Sequence, residues 1–140
     1  MELISTHPIK ESDLGFNRTL FGGKLLYWLD GDAVAYAMQY CDTPKMVTVS
    51  IDKCIFQKPG RPGHLIKIYG EVVELGNTSL TMNMEARRHN VYNGSQQTIL
   101  STNIKFVKVD EDGTPIPISQ KVKDKFELSK KVNEKNESIA

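Results

Sequence analysis

Two carboxylates set inside an apolar run are the first residues of this chain that could do chemistry. Asp30 and Asp32 lie within NRTLFGGKLLYWLDGDAVAYAM, from Asn17 to Met38. An ionised carboxylate against an apolar face costs several kcal/mol unless it is bonded or put to use. Three readings of Asp30 follow. It meets a polar partner from another element, it breaks the helix at the turn-prone pair Asp30-Gly31, or it is a general base or nucleophile held where water is scarce. Gly22 and Gly23 open the same run, although glycine disfavours helix. The first amides of a helix have no internal partner and carry the positive end of its dipole. Glycine lets another atom come close to those amides, and an anion or a carbonyl gaining negative charge is the natural guest. Asn17, five residues before Gly22, can fix the loop or a water; on its own it reads as a turn residue.

These residues need a helix to position them. Leu25, Leu26, Leu29, Ala33, Val34, Ala37 and Met38 recur at helical spacing, which predicts a helix from Gly22 to about Gln39, stopped at CDTPK by Pro44. Residues three, four and seven apart share a helix face. Asp30 therefore shares a face with Gly23, Leu26, Ala33, Val34 and Ala37, a small apolar surface suited to lying on a sheet. Asp32 sits about 200° further round, at ~100° per residue, among Leu25, Trp28, Tyr36 and Gln39, so the two acids are not a dyad within one chain. Asp32 is expected at solvent or an interface.

The rest reads as strands. A short strand starts the chain at MELISTHPIKES, its proline favouring an edge. MVTVSIDKCIF is β-branched and alternating. QKPGRPG is a loop, HLIKIYGEVVEL a strand with Gly70 as a bulge or bend, and Gly76-Asn77 a tight turn into TSLTMNMEARRH. After NVYNGS comes QQTILSTNIKFVKV. Hairpin-joined strands make an antiparallel sheet, and the one long helix is the element able to cover its face. The expected class is α+β, with a helix packed on a curved antiparallel sheet. One helix leaves part of such a sheet open, so self-association is expected. From Ile116 onward the chain is polar and lysine-rich, with Val122, Phe126 and Leu128 as a thin apolar stripe. A short surface helix followed by disorder is the reading there.

The chain has 140 residues, a formal net charge of +1, 39% hydrophobic and 25% charged residues. These are ordinary for one globular domain, and no global field draws it to nucleic acid or a membrane. MELISTHPIK has no basic start followed by an apolar run, and no stretch approaches the roughly 20 apolar residues of a membrane span. A cytoplasmic protein is expected, with Cys41 and Cys54 as reduced core thiols. No metal is expected, because His7, His64 and His89 are scattered with no ligand spacing to the cysteines. A G-x-S-x-G elbow is absent. GGKL lacks the glycine spacing and the Ser or Thr of a phosphate-binding loop.

Asn17, Phe21, Gly22, Gly23, Leu25 and Asp30, as N-x-x-x-F-G-G-x-L-(x)4-D, resemble the acyl-CoA thioesterases of the hotdog fold, in particular the bacterial short-chain acyl-CoA hydrolases and their brain-type relatives. VTVSIDKCIFQKPGRPGH, VVELGNTSLTMNMEA and FVKVDEDGTPIPI continue the resemblance, which covers roughly residues 1–118 and leaves 119–140 as a tail. The resemblance implies a hotdog fold, one long helix wrapped by a curved antiparallel sheet. It implies hydrolysis of acyl-CoA in lipid metabolism, with no cofactor beyond the CoA of the substrate. Asp30 would be the catalytic carboxylate, activating water or attacking the thioester, with Asn17 its polar partner. The Gly22 and Gly23 amides, beside Phe21, would polarise the carbonyl, and Thr78 and Ser79 would lie nearby. Arg87, Arg88 and Lys58 are candidates for the CoA phosphates. The site would be shared between two chains of at least a dimer, commonly a trimer of dimers. The chain departs from the family pattern at His64, where an acid is usual, in the bulk of Tyr27, Trp28 and Tyr36, and in the additional acid Asp32. The rival reading is a non-catalytic acyl-CoA binding module on the same fold. A dehydratase is disfavoured, since no histidine lies between Gly22 and Met38.

Overall fold

A computed structural model describes residues 1–139; of the tail, Ala140 lies outside the described residues. The chain runs β1 (Glu2–Pro8), a single 3-10 turn (Glu11–Asp13), α1 (Gly22–Cys41), β2 (Met46–Ile51), β3 (His64–Leu75), β4 (Ser79–Asn90), β5 (Gln96–Lys108) and α2 (Gln120–Ile139). The five strands form one antiparallel sheet in the order β1-β3-β4-β5-β2.

Period-two patterning decides which face is covered. On β4, Leu80, Met82, Met84 and Ala86 are wholly buried, and Ile66 and Ile68 of β3 and Ile104 and Phe106 of β5 join them. Leu25, Trp28, Leu29, Ala33, Ala37 and Cys41 of α1 close that core from above. Each large side chain buried this way contributes roughly 1.5–3 kcal/mol relative to exposure. The helix ends at Asp42 in the left-handed region, φ 55°, with its N–H on Met38 O, ahead of Pro44.

Four sequence expectations need correction. MVTVSIDKCIF is a strand only to Ile51; residues 52–63 follow β5 through isolated bonds, Asp52 N–H to Asn103 O (2.9 Å) and Gln57 N–H to Ile99 O (2.9 Å). That long link carries the chain from one sheet edge to the far side, so β2 pairs with β5 and not with β3. Gly70 is not a bulge. It pairs in register with Met84, and the extra residue of β3 is Val73. Gly70 is instead a close-packing site, where a Cβ would stand 2.6 Å from both Ile4 Cδ1 and Met84 Sδ. The tail carries no short helix but the 20-residue α2. Its start is tied down: Val122 is buried, its N–H bonds Ser119 Oγ (3.3 Å), and Lys125 Nζ reaches Tyr40 O (2.7 Å) and lies over the Tyr40 ring. Abundant Lys and Glu, good helix formers, extend it further.

The two edge strands each carry one extra residue. In β1 it is Ile4, before Ser5 pairs with Ile68 and His7 with Ile66. In β2 it is Val49, just after Thr48 pairs with Phe106. Ser5, His7 and Thr48 therefore share the face of buried core residues and point to the helix side.

Candidate active site

Asp30 and Asp32 leave α1 on opposite flanks, as the helical wheel requires. Asp30 is half-buried and faces β2, where the Thr48 hydroxyl donates to its Oδ1 at 2.7 Å. It is thus off the core face; the residues centred on the sheet are Leu25, Leu29, Ala33 and Ala37. The plain reading of a partner from the sheet holds in part, for the partner is a neutral hydroxyl. Among the described residues no cation pairs with Asp30. The helix continues through Asp30-Gly31 without a break.

Asp32 faces β1 and is not at open solvent. Its Oδ2 accepts from His7 Nε2 at 2.9 Å and from the Ser5 hydroxyl, and the His7 ring stacks on Trp28 with centroids 4.5 Å apart and planes 7° apart. Sequence reasoning searched the helix for a histidine and missed one delivered by the edge strand. This is not a nucleophile triad. Ser5 and Asp32 meet the same nitrogen, since Ser5 Oγ lies 3.1 Å from His7 Nε2, whereas a triad bonds the acid to one ring nitrogen and the hydroxyl to the other. Trp28 and Tyr36, whose hydroxyl donates to Glu2 Oε2 (3.1 Å), both serve the docking of β1. Burial, then the hydrogen bond and charge of Glu2, push the Tyr36 hydroxyl up to about 12.

The start of α1 has no side-chain cap; Phe21 stands at the cap position. Lys24 and Leu25 N–H groups bond Phe21 O, which leaves the Gly22 and Gly23 amides as the open donors of the first turn among the described residues. The two glycines also admit aromatic rings. A Cβ on Gly23 would stand 2.8 Å from Phe21 Cε2, and one on Gly22 3.1 Å from Phe56 Cζ. Phe56, with Lys58, Pro59, Gly60, Thr19 and Leu20, lines a groove beside this helix tip.

The loop before the helix is held by a residue that the sequence reading passed over. Asp13, 3% exposed, accepts from Lys10 N–H through Oδ2 (2.8 Å), faces Lys24 Nζ (3.7 Å), and offers its carbonyl to Phe21 N–H (2.9 Å). The tight turn above it has Gly15 N–H on Thr19 O and Arg18 at φ 55°. Asn17 is exposed on that turn; among the described residues its side chain makes no hydrogen bond.

The remaining candidates separate. Thr78 and Ser79 lie at the β3–β4 turn, where Lys108 N–H bonds Thr78 O, at the opposite end of the sheet from Gly22 and Gly23. Arg87 and Arg88, being consecutive on β4, face opposite ways. Arg87 is committed to Glu85 (2.7 Å) and lies 4.1 Å over the Tyr69 ring. Burial pushes the Glu85 carboxyl up, but the Thr98 hydroxyl and Arg87 outweigh it and hold it below the usual glutamate range. Arg88 bonds Pro59 O (2.8 Å) and Gln97, beside the loop that carries Lys58. His64 begins β3; burial, then Arg88 and Arg61, keep its ring below the ordinary histidine value, and its Nδ1 accepts from Arg61 N–H (3.2 Å).

Helix geometry limits what one copy can do. At ~1.5 Å per residue, the eight steps from Gly22 to Asp30 span about 12 Å, too far for one thioester group to touch both.

Known proteins agree with this architecture. The family model of the thioesterase superfamily matches residues 17–95. YkhA of Bacillus subtilis, named an uncharacterized acyl-CoA thioester hydrolase, is 26% identical over 121 residues, 86% of this chain and 70% of its own. The acyl-CoA thioester hydrolase YciA of Salmonella typhimurium is 27% identical over 120 residues, covering 84% and 90%. The crystal structure of Cj0915 of Campylobacter jejuni, a hexameric hotdog fold thioesterase, superposes with a TM-score of 0.78 at 30% identity, over 88% of this chain and 94% of that one. The fold and the matched segment define a thioester-cleaving class of enzyme. This chain belongs to the thioesterase superfamily, and its fold is the hotdog fold.

Proposed function

We propose that the chain hydrolyses acyl-CoA thioesters to a carboxylic acid and CoA, at sites shared between two copies. The observation that carries this reading is the state of Asp30: half-buried, oriented by the neutral Thr48 hydroxyl at 2.7 Å, and free of any cation among the described residues. A carboxylate so held keeps lone pairs for a water or for the thioester carbon.

A two-fold copy resolves the 12 Å separation. Two antiparallel copies of α1 side by side bring Asp30 of each toward the other's helix start. The β2 edge supports such a pairing. Its outer backbone has no strand partner among the described residues, and Val47, Val49 and Ile51 are 43%, 50% and 40% exposed beside exposed Phe21, Tyr27, Ile55 and Phe56. An open apolar edge is a template for another strand. The Gly22 and Gly23 amides of one copy then polarise the carbonyl, and Asp30 of the other activates water or attacks. Water enters, the C–S bond breaks, and CoA leaves as the thiol. Asn17 of the helix-start copy orients the water or the carbonyl. Lys58, which lines the groove beside the helix tip, is the cation best placed for the CoA phosphates; Arg88 reaches the same loop only through its bond to Pro59 O, and Arg87 is not so placed. Thr78 and Ser79 would serve only through the second copy. A trimer of such dimers is the higher assembly proposed. No group beyond substrate and water is required.

The test is thiol release from a panel of acyl-CoAs by wild type and Asp30→Ala. Binding of acyl-CoA with no thiol release by wild type would instead assign a binding module.

A further inference from the structure

The sequence leaves Asp32 without a task, yet it is the better-anchored of the two helix acids. The flank of α1 that carries it is a ladder at spacing four. Trp28 stacks on His7, Asp32 accepts from His7 Nε2 at 2.9 Å and from Ser5, and Tyr36 donates to Glu2 at 3.1 Å. All three rungs end on β1, one edge of the sheet. The opposite flank ends on β2, the other edge, through Asp30 and Thr48. Each edge strand carries its single register shift beside the residue that meets the acid, at Ile4 before Ser5 and at Val49 after Thr48. Bulges of this kind re-aim side chains.

The buried stripe of α1, Leu25, Leu29, Ala33 and Ala37, packs the helix onto the sheet, and directional polar contacts at its two flanks trim its rotation. Hydrogen bonds to a carboxylate are directional and strong. The Asp32 contacts oppose the Asp30 contact across the helix; loss of the β1 side leaves Thr48 on the other flank, the Lys24–Asp13 pair at the helix start, Lys125 on Tyr40 near its end, and packing to set the roll.

We propose that Asp32, His7 and Ser5 form a positioning clamp: by pinning α1 to β1 they set the rotation at which Asp30 is presented beside β2. Asp32 and His7 are positioning residues for the reaction above, not catalytic ones, and this inference rests on that reading for its kinetic part. The roll of the helix is also readable without any substrate, through the Thr48 methyl resonance at the other sheet edge.

The experiment uses the full chain in its natural assembly. Wild type, Asp30→Ala, Asp32→Ala, Asp32→Asn and His7→Phe are compared for kcat and KM on acyl-CoA and for the Thr48 methyl shift. Small misplacements of a reacting group cost up to about 100-fold; Asp32→Ala is expected to lose ~10-fold in kcat, with KM within about twofold and the Thr48 methyl displaced. Asp32→Asn keeps an oxygen acceptor for His7 and Ser5 and is expected to restore most of kcat. His7→Phe keeps the stack on Trp28, loses the N–H, and falls between. Wild-type kcat with an unmoved Thr48 methyl in Asp32→Ala overturns the clamp, and so does a fallen kcat with an unmoved methyl. Should Asp32→Ala not fold, the same two results in His7→Phe decide it. If wild type releases no thiol, the hydrolase reading fails, and the methyl displacement alone still supports or overturns the clamp.

Discussion

Thr48 Oγ1 stands 2.7 Å from Asp30 Oδ1 and donates its proton to it, across the gap between α1 and an edge strand. A single hydroxyl thus fixes one carboxylate oxygen, and among the described residues the other has no hydrogen-bond partner. Hydrogen bonds to charged groups contribute about 1.5–3 kcal/mol. Thr48→Val, which keeps the shape and removes the donor, is expected to lower kcat by about 4- to 12-fold if half of that orientation is felt in the transition state. Steady-state kinetics with one acyl-CoA measures it. An unchanged kcat would mean that packing alone holds Asp30.

Val49 sits at the β2 register shift, 50% exposed on the open edge. A lysine there places charge where a second copy is proposed to pair, a device natural edges use against association. Val49→Lys is expected to shift the solution mass toward the single chain and to abolish thiol release, since no one chain can bring Gly22 and Asp30 to one thioester. Light scattering read with the activity assay checks both. A fully active single chain would refute the shared site.

Glu85 offers a pH test remote from the chemistry. Its carboxyl is held below the usual range because Thr98 and Arg87 outweigh the cost of burial. A lowered folded value contributes stability that is full above the unfolded glutamate value of ~4.3 and is lost as pH falls through the lower folded one. Glu85→Gln is therefore expected to be less stable than wild type at pH 7, with the difference closing in acid below both values. Urea unfolding at the two pH values reads the effect.

The helix and its two acids were legible because they obey a period. Leu25, Leu29, Ala33 and Ala37 announce the buried stripe, and the 200° between Asp30 and Asp32 follows from it. What each acid meets was not legible, since Thr48, Ser5 and His7 come from strands far away in the chain, and register shifts at Ile4 and Val49 decide which way they point. The same limit hid the place of β2. Hairpin logic pairs neighbours, and nothing local says that residues 52–63 carry the chain across the sheet. Asp13 escaped notice because a lone Asp in a turn-rich stretch looks like a turn former until its burial is seen. The family motif reached the helix tip and Asp30 through resemblance, where periodicity alone left three readings open.

Gly70 shows how a local rule misreads a packed position. Adding a methyl group there meets Ile4 and Met84 at 2.6 Å in a filled core. Overpacking of this kind costs about 1–3 kcal/mol, so Gly70→Ala is expected to lower unfolding stability within that range. Ile4 Cδ1 ends a half-buried side chain and can yield, but Met84 is wholly buried, which places the expectation near the middle of that range, ~2 kcal/mol. Chemical denaturation at neutral pH provides the number. A stabilised variant would show that the core has room there.

The central claim is that Asp30 acts on the thioester, and substitution of that residue tests it most directly. Thiol release from a panel of acyl-CoAs is measured for wild type and Asp30→Ala, with circular dichroism and solution mass confirming that fold and assembly are kept. Loss of at least ~100-fold in kcat is expected on removing a general base or nucleophile. Equal turnover by the two proteins would contradict the account.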